Sequence, residues 1–348
     1  MLDFRSLSLD ELKDYVTAVG EKEFRARQIF SWIHKGAETF EEMTDLPHAL
    51  REKLKKDGYL NNMEVAAKQR SKSDGTVKYL MALKDGNLIE CVLMRYAYGN
   101  SLCISTQVGC NFGCRFCAST IGGKKRDLTA GEMLGQLLKV QRDVNCKINH
   151  VVLMGIGEPL DNFENVLKFL RIVNHPAGVN LGMRRITLST CGLVPEIKRL
   201  ADLNLQITLA VSLHAPNDRI RRQIMPVARK YGLEELLDAC RYYISKTNRR
   251  ITFEYALIDG VNDADRHAAE LAQKLKGMLC HINLIPVNKI SGRNYVKASR
   301  DRIESFKNIL IASGIETTVR RELGTDIDAA CGQLRSSHLW RLAPLHEP

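Results

Sequence analysis

The stretch Gly109-Cys110-Asn111-Phe112-Gly113-Cys114-Arg115-Phe116-Cys117 places three cysteines at C-x3-C-x2-C spacing. Gly109 and Gly113 allow the positive-φ turns that such a tight loop needs, so the three thiolates can point toward one centre. Iron–sulfur clusters usually take four protein thiolates, and this motif supplies one fewer. The spacing therefore predicts a cluster with one iron open to a small ligand, which for this spacing is expected to be S-adenosylmethionine (SAM).

The three cysteines could instead form a structural zinc site or lie in the core as buried thiols. Zinc in a closed site takes four ligands and commonly shows two CxxC-like pairs, and the sequence has no second pair. Core cysteines rarely cluster so closely. The pattern favours the cluster.

The length of 348 residues allows one large domain and one small domain, and 45% hydrophobic with 26% charged residues is ordinary for a globular protein. No apolar run approaches the roughly 20 residues that cross a bilayer, and residues 1–5 lack a signal-peptide pattern. Ten cysteines without secretory features indicate a reducing compartment, where thiols serve metals and chemistry. These features predict a cytoplasmic protein.

The net charge of +11 predicts attraction to polyanions, of which nucleic acid is the commonest. Solvated faces of a merely basic protein are the alternative. The basic residues occur in short runs: Arg51, Lys53, Lys55 and Lys56; Lys68, Arg70 and Lys72; Lys124, Lys125 and Arg126; Arg221 and Arg222; Arg320 and Arg321.

Residues 1–60 are predicted to form a small helical accessory domain that binds RNA, although a plain helical cap fits equally well. Helix signals occur at 8–12, 24–33 and from Pro47 onward. Residues 61–95 are predicted to form a β linker with turns at 73–75 and 85–87. Its last strand, 88–94, puts Glu90 on an apolar face, where a buried carboxylate would suit a general base. The pattern alone favours a solvated glutamate.

Residues 96–324 alternate strand and helix patterns, which predicts an α/β fold with a parallel sheet and right-handed crossovers. A capping box at 129–132 begins the first helix of this region. Six or so units, without a Gly-x-Gly-x-x-Gly after any strand, favour an incomplete TIM-like (β/α)6 barrel over a doubly wound sheet. The candidate strands are 102–107, 149–154, 185–189, 206–212, 250–257, 281–287 and 317–320.

The residues that follow four of these strands are polar or small, and in a barrel the chemistry lies at the strand ends. In 155–159, two glycines would let the backbone approach a ligand, and Glu158 could receive an ammonium group. The others are 189–192, 212–214 and 286–288. Each could be an ordinary turn, but four on one rim beside the thiolate loop predict a polar ligand pocket.

Two cysteines outside the motif are also candidates for chemistry. Cys103 is on the first barrel strand, and Cys331 lies in the segment 324–334, whose small residues predict mobility. Any single cysteine is otherwise expected to be a small buried hydrophobe. That expectation applies to Cys91, Cys146, Cys240 and Cys280, and Cys191 is expected to be a small spacer near the pocket.

The C-x3-C-x2-C motif followed by the Gly-Glu turn resembles the radical SAM superfamily. The segments 212–218, 283–286 and 326–334 closely resemble the RlmN/Cfr family of RNA adenosine methyltransferases, and the resemblance runs from about residue 73 to 334. Gly157-Glu158-Pro159 is closer to the branch that methylates adenosine C2 than to the C8 branch, in which an alanine follows the glutamate. Methylation at C8 is therefore an alternative, as is a radical SAM enzyme with a non-RNA substrate.

This resemblance implies a radical SAM barrel at 96–324, a C-terminal active-site loop and tail at 325–348, and two SAM molecules per turnover. It implies that Cys110, Cys114 and Cys117 hold a [4Fe–4S] cluster. The SAM-binding residues that it implies are Gly157, Glu158, Ser189, Ser212, Leu213, His214 and Asn288.

The resemblance also implies a reaction route. One SAM methylates Cys331, and a second, cleaved at the cluster, yields a radical that takes hydrogen from the S-methyl group. The resulting carbon adds to adenine C2 and tethers the protein to RNA. Glu90 then removes the C2 proton, and Cys103 releases the product by forming a transient disulfide with Cys331.

The expected partners are 23S rRNA, at adenosine 2503, and tRNAs, at adenosine 37. A flavodoxin or ferredoxin is the expected electron donor, and the protein is expected to be a monomer. Adenine C2 is electrophilic, so ordinary methyl transfer to a nucleophile cannot operate there. A zinc-stabilised RNA-binding module without catalysis is the rival outside the enzymes.

Overall fold

The computed structural model describes residues 1–287, 294–327 and 332–335. Two residues of the predicted site, Asn288 and Cys331, lie outside the described residues. No helix in the described parts of the chain is both long and apolar enough to cross a membrane.

The described residues form one central sheet of ten strands that are neighbours in chain order. The four N-terminal strands are joined by antiparallel ladders, and every ladder after them is parallel. The strands are β1 Glu64–Arg70, β2 Val77–Ala82, β3 Leu88–Tyr96, β4 Gly99–Cys103, β5 His150–Leu153, β6 Ile186–Thr190, β7 Thr208–Ser212, β8 Ile251–Leu257, β9 Cys280–Pro286 and β10 Thr317–Val319.

This topology confirms the predicted α/β barrel, with the β linker extending its first edge. All seven candidate barrel strands are present, and their ends differ from the prediction by a few residues. The largest difference is β4, which ends at Cys103. Residues 104–106 continue beside β5, where the N–H of Ile104 donates to Val152 O. After this bond they are no longer part of the regular ladder.

Helices fill the connections because each has an apolar stripe that packs on the sheet. The capping box predicted at 129–132 is present: Thr129 accepts from Glu132 N–H, and Glu132 accepts from Thr129 N–H. The helices are α1 Leu9–Ala18, α2 Phe24–His34, α3 His48–Asp57, α4 Ala130–Val144, α5 Phe163–Asn174, α6 Val194–Asp202, α7 Asp218–Ile224, α8 Leu233–Thr247, α9 Asp265–Leu275 and α10 Arg300–Ala312.

The N-terminal helices dock on the start of α4 through buried polar groups. Arg5 is 4% exposed and donates to the carbonyl oxygens of Ala37 and Asn61. Ser6 Oγ accepts the N–H of Gly131 at 2.9 Å. A Cβ at Gly131 would lie 2.5 Å from an Asp3 oxygen, so only glycine permits this approach. The predicted domain boundaries at 60, 95 and 324 stay predictions.

Candidate active site

A cavity of about 240 Å³ opens at the carboxyl ends of β5 to β9. The three motif cysteines line it together with predicted residues from three strand ends: Gly157, Glu158, Ser189, Ser212 and His214. Leu213 is placed differently, because its side chain is 1% exposed and packs in the hydrophobic core. Val287, which precedes Asn288, also lines the cavity.

The cysteine loop is closed by a short antiparallel pair, Gln107–Val108 with Arg126–Asp127. Gly109 and Gly113 have φ of +83° and +67°, as the sequence predicts. At Gly109 a Cβ would lie 1.8 Å from the carbonyl oxygen of Gly123, so the loop closes only with glycine there. This closure holds the thiols of the loop against the cavity.

Two of the motif thiols, Cys110 and Cys114, are shielded from water. Burial raises the pKa of Cys110 to about 12, and it raises the pKa of Cys114 as well. Such thiols are protonated at neutral pH, and a bound metal would displace their protons. Within the described residues, no three His, Cys, Asp or Glu side chains are placed to hold a metal ion. Thiolates that hold a cluster each bind a different iron, so they need not converge on one ion.

Glu158 is a buried carboxylate held by backbone donors. Its oxygens accept the N–H of Cys191 at 2.7 Å and of Leu160 at 3.0 Å. Burial raises the pKa of this carboxyl group. The Cys191 side chain is a small buried spacer that lines the cavity, and the backbone N–H at this position helps to fix Glu158.

The two glycines before Glu158 lie where neighbouring residues leave no room for a Cβ. A Cβ at Gly155 would lie 2.6 Å from Ile104 O, and one at Gly157 would lie 2.6 Å from the Gln107 side chain. They let this loop approach the chain that continues from β4. Both glycines also line the cavity, and the expectation that their backbone approaches a ligand stays a prediction.

His214 is a neutral donor at the cavity wall. Its Nδ1 accepts the N–H of Ala256 at 2.9 Å, so the ring proton resides on Nε2. Burial, with a smaller contribution from nearby Arg221, lowers the pKa of His214 to about 3. The residue has φ of +55°, and Asn262 Nδ2 donates to its carbonyl oxygen at 2.7 Å.

Sequence reasoning missed Glu254, which also lines the cavity. Its Oε2 accepts from Ser189 Oγ at 3.0 Å. Its Oε1 is buried and has no hydrogen-bond partner among the described residues. An acidic residue inside the apolar strand β8 was the available signal, because period two places Glu254 on the same face as Ala256.

Some residues of two basic runs are built into the fold. Arg221 is fully buried and donates to the carbonyl oxygens of Cys191 and Leu213. It joins the ends of β6 and β7, and the expectation that it attracts a polyanion was wrong. In the run 124–126, Lys124 pairs with Asp127 and Asp161, and Arg126 pairs with Asp85 and Glu132. Lys125 is exposed.

The Glu90 side chain on β3 is buried. The sequence pattern favoured a solvated side chain, and that prediction was wrong. It is 2% exposed, and its Oε2 lies 2.7 Å from Lys78 Nζ. The same oxygen accepts the N–H of Gly332 at 2.7 Å, and Oε1 accepts the N–H of Arg335 at 2.5 Å. The pattern failed here because β2 brings a lysine to the same face, which the alternation within β3 cannot reveal.

The segment that precedes Cys331 is anchored as well. Asp74 Oδ2 accepts the N–H of Gly324 at 2.7 Å, and Asp326 accepts the N–H of Lys72 at 2.8 Å. On the other side of Cys331, a Cβ at Gly332 would lie 2.6 Å from Ser119 N, just after the cysteine loop. The described residues on both sides of Cys331 are thus fixed by the β linker and the cysteine loop.

Cys103 lies on the same side of the sheet as Glu90. It pairs with Val92 across β3 and β4, is 5% exposed, and packs with Val92 and Met94. Because side chains alternate along a strand, Glu90 and Val92 share a face. Cys103, Glu90 and the residue after Cys331 therefore belong to one region.

Comparison with known proteins agrees with this geometry. The profile of the radical SAM superfamily matches residues 104–272, and that of the ribosomal RNA large subunit methyltransferase N-terminal domain matches residues 2–60. The "Probable dual-specificity RNA methyltransferase RlmN" of Clostridium tetani is 56% identical over 97% of each chain. The protein of the same name from Alkaliphilus oremlandii is 57% identical over 97% of this chain and 98% of its own. The chain belongs to the RlmN family of radical SAM RNA methyltransferases.

One solved structure extends the agreement to three dimensions. A radical SAM methyltransferase from Sphaerobacter thermophilus superposes with a TM-score of 0.92 at 45% identity, over 96% of this chain and 99% of that chain. As a radical SAM enzyme, this chain uses a [4Fe–4S] cluster and SAM. The cavity fits that pair, because the three motif cysteines line it and Glu254 leaves an acceptor oxygen without a described partner.

Proposed function

We propose that this RlmN-family chain methylates C2 of adenosine in RNA, with adenosine 2503 of 23S rRNA and adenosine 37 of tRNAs as substrates. The observation that carries the proposal is the contact of Gly332 with Glu90 and the cysteine loop. It ties the chain beside Cys331 to a buried carboxylate, with Cys103 on the neighbouring strand. A methyl carrier, a proton acceptor and a second thiol are what a carbon-bound methylation through the protein needs.

In this proposal the binding roles follow the cavity. Cys110, Cys114 and Cys117 hold the cluster, which when bound supplies the electron that cleaves SAM. Glu158 would take the ammonium group of SAM, because its carboxylate is already held in place by two backbone donors. Ser189, Ser212, His214 and Glu254 offer the remaining polar contacts, with Asn288 and the backbone of Gly157 and Leu213 retained from the family resemblance.

The reacting roles fall to three other residues. Cys331 is first methylated and then carries the carbon that bonds to adenine C2. This adduct is a radical, so it must give up one electron, which the oxidised cluster would accept, as Glu90 takes the C2 proton. The Cys103 thiolate then attacks the sulfur of Cys331, so that an S–S bond forms as the S–C bond breaks, and the carbon leaves with RNA as the methyl group after gaining a proton. An external reductant then returns the Cys103–Cys331 disulfide to two thiols. A flavodoxin or ferredoxin is the proposed electron donor to the cluster.

The test uses purified Cys103→Ala and Cys331→Ala proteins with SAM, reductant and substrate RNA, analysed on a denaturing gel. Cys103→Ala should accumulate a nuclease-sensitive protein–RNA band, because the adduct forms and cannot be released. Cys331→Ala should give no such band and no product. With wild-type protein, mass spectrometry should place the methyl group at adenosine C2. A methyl group at C8, or a band in Cys331→Ala, would contradict the proposal.

A further inference from the structure

Lys78 is a buried cation beside the carboxylate that the proposed function uses as proton acceptor. The ladder of β2 and β3 pairs Lys78 with Val92 and Leu80 with Glu90, so Lys78 and Glu90 are diagonal neighbours on one face. Their side chains are 0% and 2% exposed, and Nζ lies 2.7 Å from Oε2. The two groups therefore form an ion pair that water does not screen.

Both oxygens of Glu90 are occupied in this conformation. Oε2 receives Lys78 and the N–H of Gly332, and Oε1 receives the N–H of Arg335. Gly332 and Arg335 belong to the C-terminal segment that begins directly after Cys331. Because Glu90 is 2% exposed, adenine can reach it only if residues that cover it, such as Gly332 and Arg335, move away.

Loss of the amides changes what holds the carboxylate. A carboxylate that is removed from water is very unfavourable unless a positive charge and hydrogen bonds compensate it. A general base must also be ionised before it can accept a proton. Lys78 supplies the positive charge from β2, which is paired with β1 and β3, so this contact does not depend on the C-terminal segment.

We propose that Lys78 is a positioning residue for proton removal: it holds the Glu90 carboxylate in place, ionised and aimed into the barrel, while residues 332–335 withdraw to admit adenine. This proposal rests on the proposed function. The proton passes from adenine C2 to Glu90, and Lys78 keeps its own protons throughout. Glu90 thus alternates between anchoring the segment beside Cys331 and serving as the base.

The experiment compares Lys78→Met, Lys78→Arg and Glu90→Gln with a matched control, Lys274→Met. Lys274 is on helix α9, outside the basic runs, and pairs at the surface with Glu234. Three quantities are measured: methylation of Cys331 by mass spectrometry, formation of the RNA adduct on a denaturing gel, and the rate at which the adduct resolves. Thermal melting of each protein without cofactors reports on folding.

We expect Lys78→Met to methylate Cys331 and to form the adduct as the control does. Its adduct should resolve about 10- to 100-fold more slowly, the effect of removing one charge-assisted hydrogen bond from the reacting state. With RNA deuterated at adenosine C2, resolution should slow further, because proton removal has become rate-limiting. Lys78→Arg should recover much of the rate, because it restores the positive charge. Glu90→Gln should form the adduct and fail to resolve it.

Three outcomes overturn the inference. Resolution at the wild-type rate in Lys78→Met shows that Glu90 needs no cation. Slow resolution of the adduct without an isotope effect would assign Lys78 a structural role only. A variant in which Cys331 methylation and the melting temperature fall along with the resolution rate would do the same. If Lys78→Met does not fold, Lys78→Gln is the smaller change for the same measurements. If the wild-type protein forms neither methylated Cys331 nor an adduct, the proposed function fails, and the role of Lys78 in it fails too.

Discussion

Replacement of Asn262 should destabilise the cavity wall, because the Asn262 side chain hydrogen-bonds to two segments of that wall. Asn262 is fully buried. Its Nδ2 donates to the carbonyl oxygens of His214 and Ala256, each at 2.7 Å, and its Oδ1 accepts the N–H of Ile258 at 2.8 Å. Asn262→Ala leaves three buried backbone groups without these partners. Each unsatisfied buried group costs about 1–3 kcal/mol, so we expect a loss of roughly 3–9 kcal/mol in the free energy of unfolding.

The same change should weaken SAM binding, since His214 would lose the bond that holds its backbone at φ of +55°. A single misplaced hydrogen bond of about 1.4 kcal/mol raises the dissociation constant roughly tenfold. Asn262→Asp should be at least as damaging, because it brings a negative charge toward two carbonyl oxygens and removes both donors.

Urea unfolding and equilibrium dialysis with SAM measure the two effects. Asn62→Ala is the control, because Asn62 is exposed and its side chain donates to Glu38 O. We expect the control to change stability by about 1 kcal/mol or less. If Asn262→Ala is as stable as the control and binds SAM normally, the reasoning from these three bonds is refuted.

Three further predictions concern the cluster, the N-terminal helices and RNA. Alanine at Cys110, Cys114 or Cys117 should abolish both the iron–sulfur absorbance and SAM cleavage, because no spare thiolate replaces the lost ligand; SAM cleavage by the triple variant would contradict the assignment. Burial lowers the pKa of His34 to about 3, so on acidification the unfolded chain takes up this proton before the folded chain does. The contribution of neutral His34 to the free energy of unfolding is therefore complete above about pH 6.5 and falls as the pH drops toward 3. Between pH 7 and 5 the loss should be about 2 kcal/mol by urea unfolding; it should disappear in His34→Gln and persist in the control His48→Gln, whose side chain is 80% exposed. Lys125→Gln should lower the slope of log K against log[salt] for RNA binding by roughly 0.7 to 0.9 if Lys125 contacts a phosphate. Arg126→Gln should instead chiefly lower the stability of the fold, because it removes the ion pairs with Asp85 and Glu132. An unchanged slope in Lys125→Gln would leave that lysine on a solvated face.

Features that depend on local spacing could be predicted from the amino-acid sequence. The alternation of strands and helices predicts the barrel, because a parallel sheet needs a crossover between strands. The positive φ at Gly109 and Gly113 and the capping box of α4 follow from single residues and their near neighbours. The residues at the strand ends could be expected on one rim, because parallel strands all end on the same side.

The burial of polar residues, and the groups that they face, became visible only in the folded chain. Arg221 belongs to a basic run in the sequence, yet its guanidinium joins two strand ends in the interior. Glu90 has the sequence pattern of a solvated residue, yet Lys78, Gly332 and Arg335 surround it, and two of these are more than 240 positions away in the chain. The burial and the ion pairing of a side chain depend on neighbours that are distant in sequence. The pattern along one strand therefore does not reveal them.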